Sequence, residues 1–250
     1  MTPYKLADIA QNANACNSRY NRIKGVYSRI KMKFLIFLGS LRDSTPPRPA
    51  RLGLRVSRAC EYFLQLTQGE HCIEIIDPLD YEQGPIFKPH FSYAKSRAPK
   101  DLALLAEKIQ GAQGYVMVSP EYNHSMSPAL ANLLNHFASS LFSYKPSCIV
   151  SYSAGQWGGA RAALGMRAFL SELGCLPVSA MIHVPNAQQV FNEEGGVLEG
   201  VDESQWQSYF TRAFNQLLWW AQAAQSQTQC LDPHDMIQSF TKDPSQRNAP

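Results

Sequence analysis

Short apolar runs alternate along the chain with stretches in which apolar residues recur at helical spacing. The apolar runs predict buried β-strands at residues 33–38, 71–77, 115–118, 148–152 and 175–184. Each is followed by a predicted helix, at residues 52–67, 101–110, 128–137, 160–172 and 203–225. Because a crossover connection must lead to each parallel strand, the alternation predicts an α/β fold: a doubly wound, five-stranded parallel sheet.

Three loops leave the carboxyl ends of predicted strands, at residues 39–51, 119–127 and 153–160. In a parallel sheet these ends share one edge, which we call the carboxyl rim. Ligands of doubly wound sheets bind there, at the point where the strand order reverses. The rim is therefore where we look for a functional site.

The first of these loops combines hydroxyl and guanidinium groups: Ser40, Ser44, Thr45, Arg42, Arg48 and Arg51. Positive charge and backbone N–H groups between a strand and a helix suit a phosphate, although an ordinary polar loop remains an alternative. The loop lacks both G-x-G-x-x-G and G-x-x-x-x-G-K-[ST], so neither a dinucleotide site of the Rossmann type nor a P-loop is supported. A mononucleotide is the better expectation.

Composition narrows the classes of function. The six cysteines form no C-x-x-C pair and the six histidines form no H-E-x-x-H, which favours reduced thiols and predicts no metal site. No apolar run approaches the roughly 18 residues that a membrane span requires. The basic residues are concentrated in the first 31 positions, so the remainder is slightly acidic despite a net charge of +3, and we expect no nucleic-acid partner.

The predicted organisation is one domain, residues 32–225, between an N-terminal extension, 1–31, and a C-terminal tail, 226–250. The extension is poor in acids and lacks the apolar centre of a secretory signal, which leaves organelle targeting and disorder as alternatives to each other. We otherwise expect a cytoplasmic protein. The segment 78–100, rich in proline and aromatic residues, predicts a lid, a subunit contact or a covering loop.

Three motifs carry a family resemblance: GSLR at 39–42, SPEYNHSMSPALANLLNHF at 119–137 and SYSAGQWGGARA at 151–162. Together they resemble the NAD(P)H-dependent FMN reductases, the flavodoxin-like quinone, azo and chromate reductases. The resemblance covers about residues 32–190 and implies strand order 2-1-3-4-5. It also implies bound FMN, reduction by NADPH or NADH, and a small-molecule electron acceptor such as a quinone. The flavin carries the chemistry in this family, so no catalytic side chain is expected.

The resemblance also implies a set of cofactor-binding residues. Those expected at the phosphate are Ser40, Leu41 and Arg42, with Ser44 and Arg51 as further candidates because the loop here is longer and richer in proline than is usual in the family. Those expected along the flavin ring are Pro120, Glu121, Tyr122 and Asn123 on one side and Ser153, Gly155, Gly158 and Gly159 on the other. Glycines allow close backbone approach to the ring, and Tyr122 offers an aromatic surface. Glu121 has the alternative of capping neighbouring backbone.

Other functions remain as alternatives. The same fold suits a non-enzymatic flavin-binding electron carrier or redox sensor. The segment S-Y-S-A-G at 151–155 resembles the nucleophile elbow G-x-S-x-G without its first glycine, which makes a serine hydrolase using Ser153 a weaker alternative. Apolar surface at residues 81–93, on the helix after Pro128 and around the tryptophans of the last helix predicts a homodimer.

Overall fold

A computed structural model of the chain describes residues 31–43, 51–67, 70–84 and 86–236. The strands are β1 Lys33–Leu38, β2 Cys72–Ile76, β3 Gly114–Tyr122, β4 Ser125–Met126, β5 Pro146–Tyr152, β6 Leu176–Pro177 and β7 Ile182–Val184. The helices are α1 Leu52–Gln65, α2 Lys100–Gly111, α3 Pro128–Asn135, α4 Ala160–Glu172, α5 Glu203–Cys230 and α6 Pro233–Met236. The predicted alternation of strand and helix is confirmed.

The central sheet is parallel, with the order β2-β1-β3-β5 and then β6 and β7, which follow one another along the outer edge of β5. This is the flavodoxin-like order that the resemblance implied. The predicted fifth strand, 175–184, is interrupted rather than continuous. After Val178 donates to the carbonyl of Ser147, the N–H of Ala180 binds the side chain of Gln216 instead of β5, so the ladder breaks between β6 and β7.

Two hydrophobic cores cover the two faces of the sheet. Alternate residues of β1 belong to opposite cores, with Phe34 and Ile36 beneath α1 and α5 and with Leu35 and Phe37 beneath α2, α3 and α4. Both faces are buried, as a continuous apolar strand in a doubly wound fold requires. The carboxyl rim is the edge of the sheet that these helices leave open to ligands.

The second rim loop differs from the prediction. Residues 119–127 were expected to be a loop, but β3 continues to Tyr122 and pairs antiparallel with β4. Asn123 and His124 form the connection, with φ angles of 49° and 61°. Two consecutive positive φ angles are typical of a type I′ hairpin turn. The usual sequence signal of such a turn is a glycine, and this turn has none. Pro128 begins α3 and Ser127 caps it, as predicted, by accepting from the N–H of Ala129.

Helix α5 extends past the predicted end at 225. Its last turns are polar, so the spacing of apolar residues did not show that the helix continues to Cys230. The predicted extension at 1–30 and the end of the tail at 237–250 lie outside the described residues. Within the described ranges no helix is long and apolar enough to cross a membrane.

The segment that joins β2 to α2 is anchored on α3. The N–H of His90 donates to the carbonyl of His136, and Nδ1 of His136 lies 3.1 Å from the carbonyl oxygen of Lys88. Burial lowers the pKa of His136. Three neighbouring apolar side chains, Ile86, Phe87 and Phe91, stay exposed, so the segment is held at the end of α3 and presents an apolar surface.

Candidate active site

The turn after β1 is held against β3. The N–H of Gly39 donates to the carbonyl of Val118 at 2.7 Å, and a Cβ at position 39 would lie 2.5 Å from that same oxygen. Only glycine fits this approach. The turn carries the next residue, Ser40, into a buried position, with 3% of its surface exposed, where its hydroxyl accepts from the N–H of Arg42 at 3.3 Å.

Arg51, immediately before α1, is fixed by protein groups. Its guanidinium donates to both carboxylate oxygens of Asp77, one of them at 3.1 Å, and to the carbonyl oxygen of Ser40. The Arg51 side chain is 4% exposed, so this is a buried ion pair that joins the end of β2 to the start of α1. The guanidinium predicted to bind phosphate is thus directed at Asp77. Ser44 lies outside the described residues.

Among the described residues no side chain caps the amino end of α1. Its N-cap residue, Arg51, makes no capping hydrogen bond with its side chain, and its first turn contains no acidic residue. A helix begins with N–H groups that lack intrahelical partners and with the positive end of its dipole, a combination that suits an anion. Leu41 and Arg42 are exposed beside this end, and among the described residues no hydrogen bond or ion pair engages the guanidinium of Arg42. The structure thus brings Ser40, Leu41 and Arg42 together at a site suited to phosphate.

The PEYN segment follows along the rim. Pro120 pairs in register with Tyr152 of β5, Tyr122 is 37% exposed, and Asn123 lies in the hairpin turn. Glu121 behaves as the alternative interpretation expected. Its Oε2 accepts from the N–H groups of Arg161 and Ala162 at 3.1 and 3.3 Å, and its Oε1 lies 3.5 Å from Nη1 of Arg161. The Glu121 carboxylate therefore caps α4. Only the backbone of Glu121, at the end of β3, remains for a ligand at the rim.

The glycine-rich turn after β5 is closed by the hydroxyl of Ser153. That hydroxyl donates to the carbonyl of Gly155 at 2.7 Å and accepts from the N–H of Gly158 at 2.9 Å. Gly158 and Gly159 have φ angles of 60° and 73°, and a Cβ at Gly159 would lie 2.9 Å from Cβ of Ser151. Glycine is thus required for the turn. The space around Gly155 is open, since a Cβ at that position would have no neighbouring atom within 4 Å among the described residues.

A serine and a histidine meet beneath this turn, but not at Ser153. The buried hydroxyl of Ser151 donates to the carbonyl of Gly158 and lies 2.7 Å from Nδ1 of His183, which places the hydrogen on Nδ1. Burial and the nearby charge of Arg212 lower the pKa of His183. Since the Ser153 hydroxyl serves the turn and the Ser151 proton is directed at a carbonyl, neither serine is arranged as a hydrolase nucleophile.

Some residues of the rim were not found by sequence reasoning. Trp157, within the glycine-rich turn, is 62% exposed, and the guanidinium carbon of Arg161 lies 5.0 Å from the centre of its ring. Asp77 was counted only as the end of a strand, and Tyr152 only as strand core. An exposed tryptophan between glycines was a usable signal for Trp157, whereas the partners of Asp77 and Tyr152 are distant in the sequence. Among the described residues no three His, Cys, Asp or Glu side chains gather into a metal site.

The fold and the rim define a flavodoxin-like α/β protein whose first strand-to-helix junction is suited to an anion. The chain belongs to the NADPH-dependent FMN reductase family, which matches residues 32–189. Membership implies FMN as the cofactor and a reduced nicotinamide nucleotide as the electron donor.

Two curated relatives carry the same kind of name. The chain is 31% identical over 123 residues to an NADPH azoreductase of Bacillus sp. (strain OY1-2), covering 49% of this chain and 64% of the relative. It is 31% identical over 105 residues to an NAD(P)H-dependent FMN reductase of Pseudomonas aeruginosa, covering 40% of this chain and 57% of the relative. The chain thus spans less than two thirds of the length of either relative.

A solved structure agrees in fold. FerB from Paracoccus denitrificans, a flavoenzyme NAD(P)H:(acceptor) oxidoreductase, superposes with a TM-score of 0.58 at 17% identity, over 77% of this chain and 98% of that one.

Proposed function

We propose that the chain is an NAD(P)H-dependent, FMN-containing reductase that passes two electrons from the nicotinamide nucleotide to quinones or similar small acceptors, including azo compounds. The observation that carries the proposal is the amino end of α1, which lies beside the buried hydroxyl of Ser40. In the part of the chain that the structure describes, this end has no side-chain cap, and its first turn contains no acid. An anionic group is the ligand that such an end favours.

The described residues fit FMN. The phosphate would be held by Ser40, by the backbone of Leu41, by the N–H groups at the start of α1 and by the charge of Arg42. Arg51 would position this loop through its bonds to Asp77 and Ser40 rather than touch the ligand. We therefore revise its expected role from ligand to support. Ser44 stays a candidate.

The ring would lie between the two remaining rim segments, Pro120–Asn123 and Ser153–Gly159. Backbone groups dominate both, because the side chains of Glu121 and Ser153 are already engaged with protein. When bound, the flavin supplies the chemistry, taking a hydride from the nicotinamide and giving two electrons to the acceptor. The chain itself orients the reactants: the exposed rings of Tyr122 and Trp157 offer flat surfaces on which aromatic substrates can stack.

An enzyme is favoured over an electron carrier by the name of the family and of the relatives, in which reductases turn over nicotinamide nucleotides. Catalysis by protein acid or base groups is not part of the proposal. The cysteines described as free, Cys60, Cys72, Cys148, Cys175 and Cys230, suit a reducing compartment, and we propose the cytoplasm.

We also propose that the protein is a homodimer. Ile86 is 80% exposed and Phe87 52% exposed on the segment anchored to α3, and burial of such a patch against a second copy would remove apolar surface from water. Light scattering at micromolar concentration should give twice the mass of the chain. The exchange Ile86→Lys should return it to one chain, and an unchanged dimer would exclude this patch.

The visible absorbance of the purified protein tests the proposed function. We expect the bands of bound oxidised flavin, their bleaching when NADPH or NADH is added without oxygen, and their return when a quinone follows. A carrier would keep the bands but react slowly with the nucleotide. A colourless protein that also fails to quench the fluorescence of added FMN would contradict the proposal.

A further inference from the structure

Tyr152 lies on β5, but its side chain extends to the loop after β1, a strand that is not adjacent to β5 in the sheet. The residue ends β5, and β3 lies between β5 and β1 in the sheet. Its side chain is 5% exposed and packs in the core beneath α1 and α5. The side chain of Ser40, whose carbonyl accepts from Arg51 directly before α1, is a neighbour of this hydroxyl and lowers its pKa against the larger rise that burial causes. One strand thus supports both the glycine-rich turn and the loop suited to phosphate.

Gly53, in the first turn of α1, provides the space for this hydroxyl. A Cβ at position 53 would lie 2.5 Å from the Tyr152 hydroxyl oxygen and 3.2 Å from Cζ, besides 2.8 Å from Cδ1 of Leu38. Glycine is an unfavourable residue inside a helix, because it loses more conformational freedom than any other. Its presence in α1 is explained by the tyrosine, whose hydroxyl is seated directly against the open end of the helix.

The hydroxyl belongs to a short chain of polar groups. Tyr152 adjoins Ser40, and the hydroxyl of Ser40 accepts from the N–H of Arg42. Burial raises the pKa of Tyr152 well above its usual value, so the phenol stays neutral and keeps its proton. A neutral phenol beside an anion site can orient a neighbouring hydroxyl without adding a repelling charge.

We propose that Tyr152 is a positioning residue of the phosphate subsite: seated against Gly53 and beside Ser40, its hydroxyl donates to the Ser40 hydroxyl and so turns the Ser40 proton toward the phosphate of FMN. The inference rests on the proposed function and adds to it a residue that selects phosphorylated flavin. Riboflavin lacks the phosphate, so its binding does not depend on this hydroxyl.

The ratio of the dissociation constants of riboflavin and FMN, measured by flavin fluorescence quenching with the apoprotein, tests this. We expect Tyr152→Phe to weaken FMN about five- to tenfold, the size of one hydrogen bond, and to leave riboflavin within about twofold. Tyr115→Phe is the matched control. That tyrosine is also buried in the sheet, but its hydroxyl bonds to the carbonyls of Ile109 and Leu141, away from the rim, so the ratio should not change.

Gly53→Ala keeps the test decisive if Tyr152→Phe folds poorly, because the new Cβ must displace the hydroxyl and should lower the ratio in the same direction. Where Tyr152→Phe folds, it should change the ratio no further in a Ser40→Ala background, because the tyrosine acts through that serine. An unchanged ratio in folded Tyr152→Phe, or a loss equal for FMN and riboflavin, would overturn the inference. Failure of the unaltered chain to bind FMN would instead overturn the proposed function.

Discussion

Two of the helices that begin at the carboxyl rim, α1 and α4, differ in what occupies their amino ends. The end of α4 is closed by the carboxylate of Glu121, which accepts two backbone N–H groups and pairs with Arg161. Among the described residues the end of α1 has no side-chain cap, its first turn contains no acid, and the exposed cation Arg42 lies beside it. Both ends have the same dipole.

The difference shows where the protein leaves room for an external anion. A carboxylate that already neutralises a helix end makes a second negative charge there unfavourable, whereas the open end of α1 keeps its donors for a ligand. The buried pair of Arg51 and Asp77 fixes the residue that precedes α1 to the end of β2. A fixed helix end favours a ligand, because less order has to be gained on binding.

The largest effect should come from removing that support. Asp77→Ala leaves the guanidinium of Arg51 buried without its carboxylate, which should lower the free energy of unfolding by about 3 kcal/mol. Denaturant unfolding of the apoprotein measures it. Asp80→Ala, an exposed acid in the same turn, is the control and should cost less than about 0.5 kcal/mol. Equal stabilities for the two variants would show that the pair does not hold the loop.

The next effect concerns the ligand rather than the fold. Arg42→Ala should weaken FMN binding by about 1.5 to 3 kcal/mol, the range of a charge-assisted hydrogen bond, while apoprotein stability stays unchanged. Fluorescence titration with FMN measures the loss, and Arg97→Ala, an exposed arginine elsewhere, should have none. Undiminished FMN affinity in folded Arg42→Ala would remove this cation from the site.

At α4 we expect a smaller effect, on the stability of the fold rather than on the affinity for the ligand. Glu121→Gln removes the charge that caps this helix and should lower the free energy of unfolding by about 1 kcal/mol. Binding of FMN and riboflavin should change together, because no phosphate contact is lost. Thermal unfolding compared with Glu107→Gln, on the exposed side of α2, isolates the cap. A selective loss of FMN affinity would place the phosphate at α4 and reverse the comparison.

The smallest effect is that of a simple anion. Inorganic phosphate at about twice its dissociation constant should stabilise the apoprotein by about 0.6 kcal/mol. Chloride at equal ionic strength should not match it, and Arg42→Ala should abolish the difference. Stabilisation by phosphate that persists in this variant would point to another anion site.

The sequence predicted features that are local. We could recognise the apolar runs of β1, β3 and β5 and the helix that begins at Pro128. Their signals, the spacing of apolar residues and the capping residues, lie within a few positions of one another in the sequence. The hairpin at Asn123 and His124 was missed because its turn lacks the usual glycine, and the break between β6 and β7 because it depends on Gln216 in α5.

Tertiary partners limited the prediction of the site in the same way. Arg51 was expected at the phosphate since its charge is visible in sequence, while its partner Asp77 lies one strand further on. Glu121 was assigned two alternatives, and only the position of α4 relative to β3 brought it to the backbone of Arg161. The alternation of strands and helices thus located the rim. Tertiary packing decided which charged side chains at the rim remain for a ligand.

Backbone amide NMR spectra of the apoprotein with FMN and with riboflavin test the central claim most directly. Subtracting the riboflavin-induced shifts from the FMN-induced shifts isolates the phosphate. The account predicts that the remaining differences lie at Ser40 and at Leu52 to Leu54, the first turn of α1, while the amides of Arg161 and Ala162 at α4 show none. Differences concentrated at α4, or none at α1, would contradict it.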